Sequence, residues 1–161
     1  MKHQVRILQG LKLAAVLAVA LSMGACANKN LGADGAMASA ATPGSQQDFV
    51  VNVGDRVFFE SDSTELTAQS VATLEKQAQW LQSYGQYSFT VEGHADPRGG
   101  DRLNQPLSLA RADSVCVYLE QEHQIDPHRL GPVGKGSSEL LNTEDVTAPE
   151  NRRVTIVTRL K

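Results

Sequence analysis

Long apolar runs are scarce in this sequence of 161 residues. The clearest one, Leu13 to Met23, is shorter than the roughly 20 residues that cross a bilayer as a helix, so a permanent transmembrane helix is its weaker interpretation. Cations precede the run and small residues follow it: Lys2, Arg6, Lys12, Gly24 and Ala25. This layout is typical of a secretory signal, and we predict that residues 1–25 are a signal peptide.

Cysteine is equally scarce, with two in the chain. Cys26 ends the segment Met23-Gly24-Ala25-Cys26, which resembles a lipobox, the motif at which bacteria attach lipid to a cysteine and cleave before it. An ordinary cleavage site with an incidental cysteine is the alternative. Because stable anchoring takes more than one acyl chain, several chains on Cys26 would hold the protein on a membrane. Ala27, where an aspartate would indicate inner-membrane retention, favours the outer membrane.

The second cysteine, Cys116, has no partner for an intrachain disulfide once Cys26 is lipidated. We interpret it as a small buried apolar residue, as free cysteine usually is. A catalytic thiol is the alternative, but no activating base is evident near it in the sequence.

Positive charge is also in short supply. The formal charge is −3 for the whole chain and becomes −6 without residues 1–25, which carry three cations and no anion. Such an acidic protein is a poor general binder of nucleic acid, so we expect no nucleic-acid partner.

Residues 26–47, rich in small polar residues and without apolar periodicity, predict a flexible tether behind the lipidated cysteine. A single domain at 48–161 remains.

Signatures of cofactor chemistry are missing too. The stretch 131–138 lacks the spacing of a P-loop, and His94 with Asp96 would supply only two metal ligands, so we expect no metal and no cofactor. Glu92 with Asp96, or His94 with Ser108, are formal acid/base or nucleophile/base pairs, yet neither has an orienting third group. We therefore predict a binding protein rather than an enzyme.

Hydrophobic periodicity predicts an α/β sandwich. Val71, Leu74, Ala78 and Leu81 recur at helical spacing, whereas the strand-like stretches alternate apolar and polar residues. The patterns predict helices near 67–84 and 106–124. They predict an opening β region made of a strand-like run at 49–53 and a second short run at 57–59, and further strands near 87–92, 130–133 and 153–159. The order β-α-β-α-β-β then predicts two main helices packed on one face of a mixed sheet.

Several spaced motifs carry a family resemblance. The run from Asn104 to Leu119 fits the pattern N-x2-L-S-x2-R-A-x2-V-x3-L at every fixed position, after Glu92-Gly93-His94-Ala95-Asp96 and before Asn151-Arg152-Arg153-Val154. The chain resembles the OmpA-like peptidoglycan-binding family from about Val57 to Ile156. Within it, the short acylated tether and the run from Leu74 to Leu81 look most like those of the peptidoglycan-associated lipoproteins, or Pal. The expected fold is accordingly the OmpA-like α/β sandwich.

The resemblance implies binding of the peptidoglycan stem peptide through its diaminopimelate residue, which carries an ammonium and carboxylates. Asp96 would accept hydrogen bonds from the ammonium, and Arg111 would hold a carboxylate. The alternative for this pair is a salt bridge that fastens the loop to the helix. The remaining expected peptidoglycan ligands are Asn104, Ser108, Asp62, His94, Ala95 and Arg152.

The resemblance further implies a lipoprotein that links the outer membrane to the cell wall, facing the periplasm. It implies the Tol-Pal system as the setting, with TolB and other Tol proteins as partners, in envelope integrity and cell division. Pro97, Gly100 and the run 134–136 depart from the Pal pattern. The alternative is therefore another OmpA-like lipoprotein that acts mainly as a periplasmic protein-interaction module.

Overall fold

A computed structural model describes residues 41–161. The predicted signal peptide, Cys26 and most of the predicted tether lie outside the described residues. The elements within this range are α1 (Gln46–Asp48), a π-helical segment (Phe49–Val53), β1 (Arg56–Phe58), α2 (Ala68–Ser83), β2 (Tyr87–Gly93), α3 (Asp101–His123), β3 (Leu130–Gly134) and β4 (Arg153–Leu160), with 3-10 turns at Pro127–Arg129 and Pro149–Asn151. Between residues 41 and 161 no helix combines the length and apolar character needed to span a bilayer.

The four strands form one mixed sheet in the order β1-β4-β2-β3. β4 pairs antiparallel with β1 and β2, whereas β2 and β3 are parallel. Every second residue of β2 is buried, which is the alternation predicted for a half-buried strand. The two long helices, α2 and α3, cover the sheet through a common apolar core: Leu74, Ala78, Leu81, Phe89, Val91, Val115, Leu119, Val154 and Ile156. The predicted fold class is confirmed.

The predicted strand at 49–53 is wrong, because these residues form a π-helical segment. Phe49 is fully buried and packs against Trp80, with 4.9 Å between ring centroids. Val50 and Val51 are 48% and 52% exposed, so the run has one core residue rather than a strand face. The tertiary contact of Phe49 thus outweighs the strand propensity of the valines.

Part of the predicted tether contacts the domain. The hydroxyl of Tyr87 donates to the carbonyl oxygen of Gly44 at 2.9 Å, and the side-chain amide of Gln46 donates to the carbonyl of Thr158 at 2.7 Å. Asp48 then accepts from the Trp80 indole at 2.9 Å. The packed part of the chain thus begins ahead of residue 48, at the end of the sheet where β2 starts.

Helix α3 begins at Asp101, five residues ahead of the expected start at Pro106. The proline lies inside the helix, where its missing N–H leaves one backbone carbonyl of the first turns without the usual donor. Asp101, in the first turn, complements the positive end of the helix dipole.

Gly93 sets how closely α3 approaches the sheet. A Cβ atom at this position would lie 1.8 Å from the carbonyl oxygen of Ser108, on α3. Only glycine permits this contact, which brings the start of α3 against the loop that follows β2.

Cys116, further along α3, is half-buried, and burial raises the pKa of its thiol to about 12. The thiol is therefore protonated at neutral pH.

Candidate functional site

A small depression lies where β2 ends and α3 begins. We call it the loop depression; its lining residues are Asp62, Ala95, Asp96, Arg98, Asn104, Leu107, Arg111 and Arg152. Six of the eight predicted ligand residues are in this set. The depression is dominated by charge, with two carboxylates and three guanidiniums.

Asp96 is buried at the wall of the depression, with 5% of its surface exposed. Its Oδ1 accepts from the backbone N–H of Arg98 at 3.1 Å and from Arg98 Nε at 2.9 Å. Its Oδ2 accepts from Arg98 Nη2 at 2.6 Å and from Arg152 Nη1 at 3.4 Å. These hydrogen bonds, chiefly those of the Arg98 side chain, lower the pKa of Asp96 to about 2. The carboxylate is therefore ionised at any physiological pH.

Arg111 lines the same depression but is fully buried. Its guanidinium donates to three backbone carbonyls, those of Ser63 (2.9 Å), His94 (3.1 Å) and Glu60 (2.9 Å). It also lies over the ring of Phe59, 5.4 Å from the centroid. Burial lowers the pKa of Arg111 to about 10, so the side chain remains cationic at neutral pH. In this structure Arg111 holds the walls of the depression together.

The alternative of a direct Asp96–Arg111 salt bridge does not describe this arrangement. The ion-pair partners of Asp96 are Arg98 and Arg152, whereas the guanidinium of Arg111 is committed to carbonyl groups. Arg152 is itself anchored, because its Nε donates to the carbonyl of Phe59 at 3.2 Å. Two separate cations therefore neutralise Asp96.

Asn104 and Asp62 complete the polar lining. The side-chain amide of Asn104 donates to the carbonyl oxygen of Asp96 at 2.9 Å and thereby joins α3 to the loop. Asp62 is exposed and has a left-handed backbone, with φ at 52°. Aspartate tolerates this conformation better than most residues do, so its presence in the tight loop after β1 has a local reason.

The side chain of Ser108, one of the predicted ligands, faces away from the depression. It is fully buried, and its hydroxyl accepts from the N–H of Gly136 at 2.8 Å while it donates to the carbonyl of Gln105 at 2.9 Å. Gly136 in turn accepts from the N–H of Ala95 at 2.8 Å. Ser108 thus supports the backbone of Ala95 rather than offering its hydroxyl to a ligand.

His94 is also a supporting residue in this structure. Its backbone N–H donates to the carbonyl of Arg153 at 2.8 Å, and its carbonyl accepts from Arg111. The imidazole is 2% exposed, and burial lowers its pKa to about 4. The ring is therefore neutral at physiological pH.

The His94 ring belongs to a cluster with Glu92 and Glu139, in which one potential metal-ligand atom from each lies within 4.8 Å of the others. This trio differs from the His94 and Asp96 pair considered from the sequence. Lys135 Nζ lies 3.6 Å from Glu92 and 3.0 Å from Glu139. One ammonium thus pairs with both carboxylates and balances the charge of one of them.

Arg98 is the charged lining residue that the sequence-based site omitted; the other omitted residue is Leu107. The signal for Arg98 was local, because an aspartate two residues ahead in the segment Asp96-Pro97-Arg98-Gly99 favours a turn in which the aspartate side chain bonds the backbone. The bond from the Arg98 N–H to Asp96 is that turn. What the turn pattern could not give is the position of the guanidinium.

Comparison with known proteins gives one consistent result. The model of the OmpA family matches residues 58–154. A peptidoglycan-associated lipoprotein of Rhizobium meliloti is 43% identical over 148 residues, covering 88% of this chain and 84% of that protein. One from Brucella melitensis is 41% identical over 152 residues and covers 90% of each. Both names describe lipoproteins associated with peptidoglycan.

Solved structures agree at the level of the fold. The crystal structure of the peptidoglycan-associated lipoprotein from Burkholderia pseudomallei has a TM-score of 0.63 at 24% identity, covering 71% of this chain and all of that one. The C-terminal domain of Helicobacter pylori MotB has a TM-score of 0.60 at 22% identity, covering 66% of this chain.

Proposed function

This chain belongs to the OmpA family, and from that premise we propose that it binds the peptide stem of peptidoglycan without altering it chemically. Its similarity to the named peptidoglycan-associated lipoproteins supports the choice of ligand. The observation that carries the proposal is Asp96, a buried and permanently ionised carboxylate in the wall of a depression that is otherwise rich in guanidiniums.

A diaminopimelate residue suits these charges. Its ammonium group would pair with Asp96, because charge-assisted hydrogen bonds to a desolvated carboxylate are the stronger kind. Its carboxylates would lie near the guanidinium of Arg152, and Asp62, which is exposed at the rim, would favour the ammonium end. Arg111 contributes by position and by its charge, which is close to the depression although its side chain is buried.

The position of Gly44, near the beginning of the described residues, supports a tethered protein. Gly44 contacts Tyr87 at the start of β2, and the loop depression follows the other end of that strand. A strand of 7 residues spans roughly 20 Å at about 3.3 Å per residue. The tether would leave from the pole opposite the binding site, which directs the site away from the membrane.

We extend the proposal to the cellular setting. A lipid on Cys26 would anchor the protein in the outer membrane with the domain facing the periplasm, and wall binding would then link membrane and peptidoglycan. TolB and other Tol proteins are proposed partners, with envelope integrity and cell division as the processes served. The similarity to peptidoglycan-associated lipoproteins supports this setting.

The test is co-sedimentation of the full chain, in mild detergent, with purified peptidoglycan sacculi. We expect the wild type to sediment and Asp96→Asn to remain in solution, because the neutral amide cannot pair with an ammonium. Asp113→Asn is the matched control, since Asp113 is exposed on α3 outside the loop depression. A wild type that stays in solution, or an Asp96→Asn variant that sediments as well as it does, would refute the proposal.

A further inference from the structure

We propose that Arg98 is a built-in competitor of the ligand, whose guanidinium occupies the position on Asp96 that a ligand ammonium needs. The inference rests on the proposed function and adds to it a step, the displacement of Arg98, that precedes binding.

The carboxylate of Asp96 has no capacity to spare. A carboxylate offers about four lone-pair positions, two on each oxygen. Oδ1 receives the backbone N–H and Nε of Arg98, and Oδ2 receives Nη2 of Arg98 and Nη1 of Arg152. A ligand ammonium therefore gains its hydrogen bonds only when one of these donors leaves.

Exposure decides which donor leaves. The side chain of Arg98 is 55% exposed, so water can solvate its guanidinium as it departs. That of Arg152 is 11% exposed and is also held by the carbonyls of Phe59 and Thr147. Moving Arg152 would leave those two carbonyls unpaired, whereas moving Arg98 releases one further bond, from Nη2 to the hydroxyl of Ser61 at 2.7 Å. Arg98 is therefore the group that moves.

The third guanidinium of the depression cannot take this role. Arg111 is fully buried, and all three of its nitrogen atoms donate to carbonyls. The bound state that follows has Asp96 paired with the ligand ammonium and Arg152, while Arg98 turns toward solvent. Because the cation that leaves and the cation that arrives carry the same charge, the depression keeps its charge balance.

If Arg98 competes with the ligand, replacing it should raise the affinity for the ligand. Removing the Arg98 guanidinium removes a competitor, so Arg98→Gln is expected to bind the ligand more tightly, although the substitution deletes a cation from the site. An ion pair with a largely exposed partner is worth little more than about 1 kcal/mol, which corresponds to a gain of about fivefold. A residue that simply bound a ligand carboxylate would change affinity in the opposite direction.

Calorimetric titration of the full chain in detergent with the tripeptide L-alanyl-D-glutamyl-diaminopimelate tests this sign. Arg102→Gln is the matched control, because Arg102 is exposed on the first turn of α3 and outside the loop depression. We expect Arg98→Gln to bind about fivefold more tightly and Arg102→Gln to bind as the wild type does. A second probe, with the side-chain ammonium of diaminopimelate acetylated, should abolish the advantage of Arg98→Gln.

Equal or weaker binding by Arg98→Gln would overturn the inference, as would an equal gain in Arg102→Gln, since that gain would reflect overall charge. If wild type and Arg98→Gln both failed to bind the tripeptide or sacculi, the proposed function itself would fail. Weaker binding by Arg98→Gln with normal wild-type binding would leave the proposed function in place and refute only the role of Arg98 as a competitor.

Discussion

Arg111 donates a hydrogen bond of 3.1 Å to the carbonyl oxygen of His94, the residue that opens the loop after β2. The same guanidinium reaches the carbonyls of Ser63 and Glu60, so one side chain of α3 ties together the loops that follow β1 and β2. Arg111, the arginine of the family motif, thus stabilises the backbone of the loops around the site and also contributes a positive charge.

We expect Arg111→Ala to destabilise the domain by about 3 kcal/mol or more, because three carbonyls lose at once the donor that a fully buried guanidinium supplies. Urea unfolding followed by circular dichroism measures this loss. Arg102→Ala, which removes an exposed arginine from the same helix, should change stability by less than about 0.5 kcal/mol. Similar stability in the two variants would show that the carbonyls find other partners. A loss of wall binding in Arg111→Ala therefore requires comparison with folding before it is assigned to ligand contact.

Gly93→Ala should destabilise the protein by about 2 kcal/mol or more, because the new methyl group would push the backbone of α3 away from β2. Gly85→Ala is the matched control, since a Cβ at Gly85 meets no atom within 4 Å. Thermal unfolding of the two variants should separate them by several degrees. Coincident transitions would mean that α3 can shift outward without loss.

Stability should fall as pH decreases from about 6.5 to 4. In this window the unfolded chain binds a proton at His94, whereas the folded chain does not, because burial holds the pKa of His94 near 4. The expected loss is roughly 2 to 3 kcal/mol. The variant His94→Asn should flatten the pH dependence of the free energy of unfolding in this range. An unchanged slope in the variant would assign the effect to other groups.

Asn151 should control the order of the loop at 137–150. Its side-chain oxygen accepts from the N–H groups of Leu141 and Asn142, and its amide nitrogen donates to the carbonyls of Asn142 and Val146. Asn151→Asp keeps the shape but replaces the donor by a carboxylate oxygen facing those carbonyls. We expect amide hydrogen exchange in the loop to accelerate at least tenfold while exchange in β2 changes less. Equal acceleration in β2 and the loop would indicate global unfolding instead.

The architecture was predictable from sequence wherever a long periodic pattern of apolar residues forms one face that packs against the core. The stripe through Leu74 and Leu81 gave α2, and the alternation around Phe89 gave β2. The segment 49–53 was not predictable in this way, because its conformation follows from the contact of Phe49 with Trp80, which lies 31 positions away in the chain. Local preference cannot include a partner at that distance.

Most residues that line the loop depression were predictable from the motif, but the contacts that their side chains make were not. The motif placed Asp96, Asn104 and Arg111 around one depression, yet the choice between facing a ligand and facing a carbonyl depends on a few ångströms of backbone position. Ser108 and Arg98 show this dependence: the Ser108 hydroxyl accepts from the N–H of Gly136, and the Arg98 guanidinium donates to the carboxylate of Asp96. Residue type indicates which groups a side chain can bind, whereas the folded backbone determines which of those groups lie within its reach.

The opposed poles of the domain also have a mechanical meaning under the proposed function. Tension between a membrane anchor and a wall held at the loop depression would be applied near the two ends of β2, at Tyr87 and after Gly93. β2 is hydrogen-bonded on both sides, to β4 and to β3, and a pull along its axis loads those bonds in shear, together, rather than peeling them apart in succession. The sheet order that brings β2 to an interior position thus also lets bonds on both of its edges share the load.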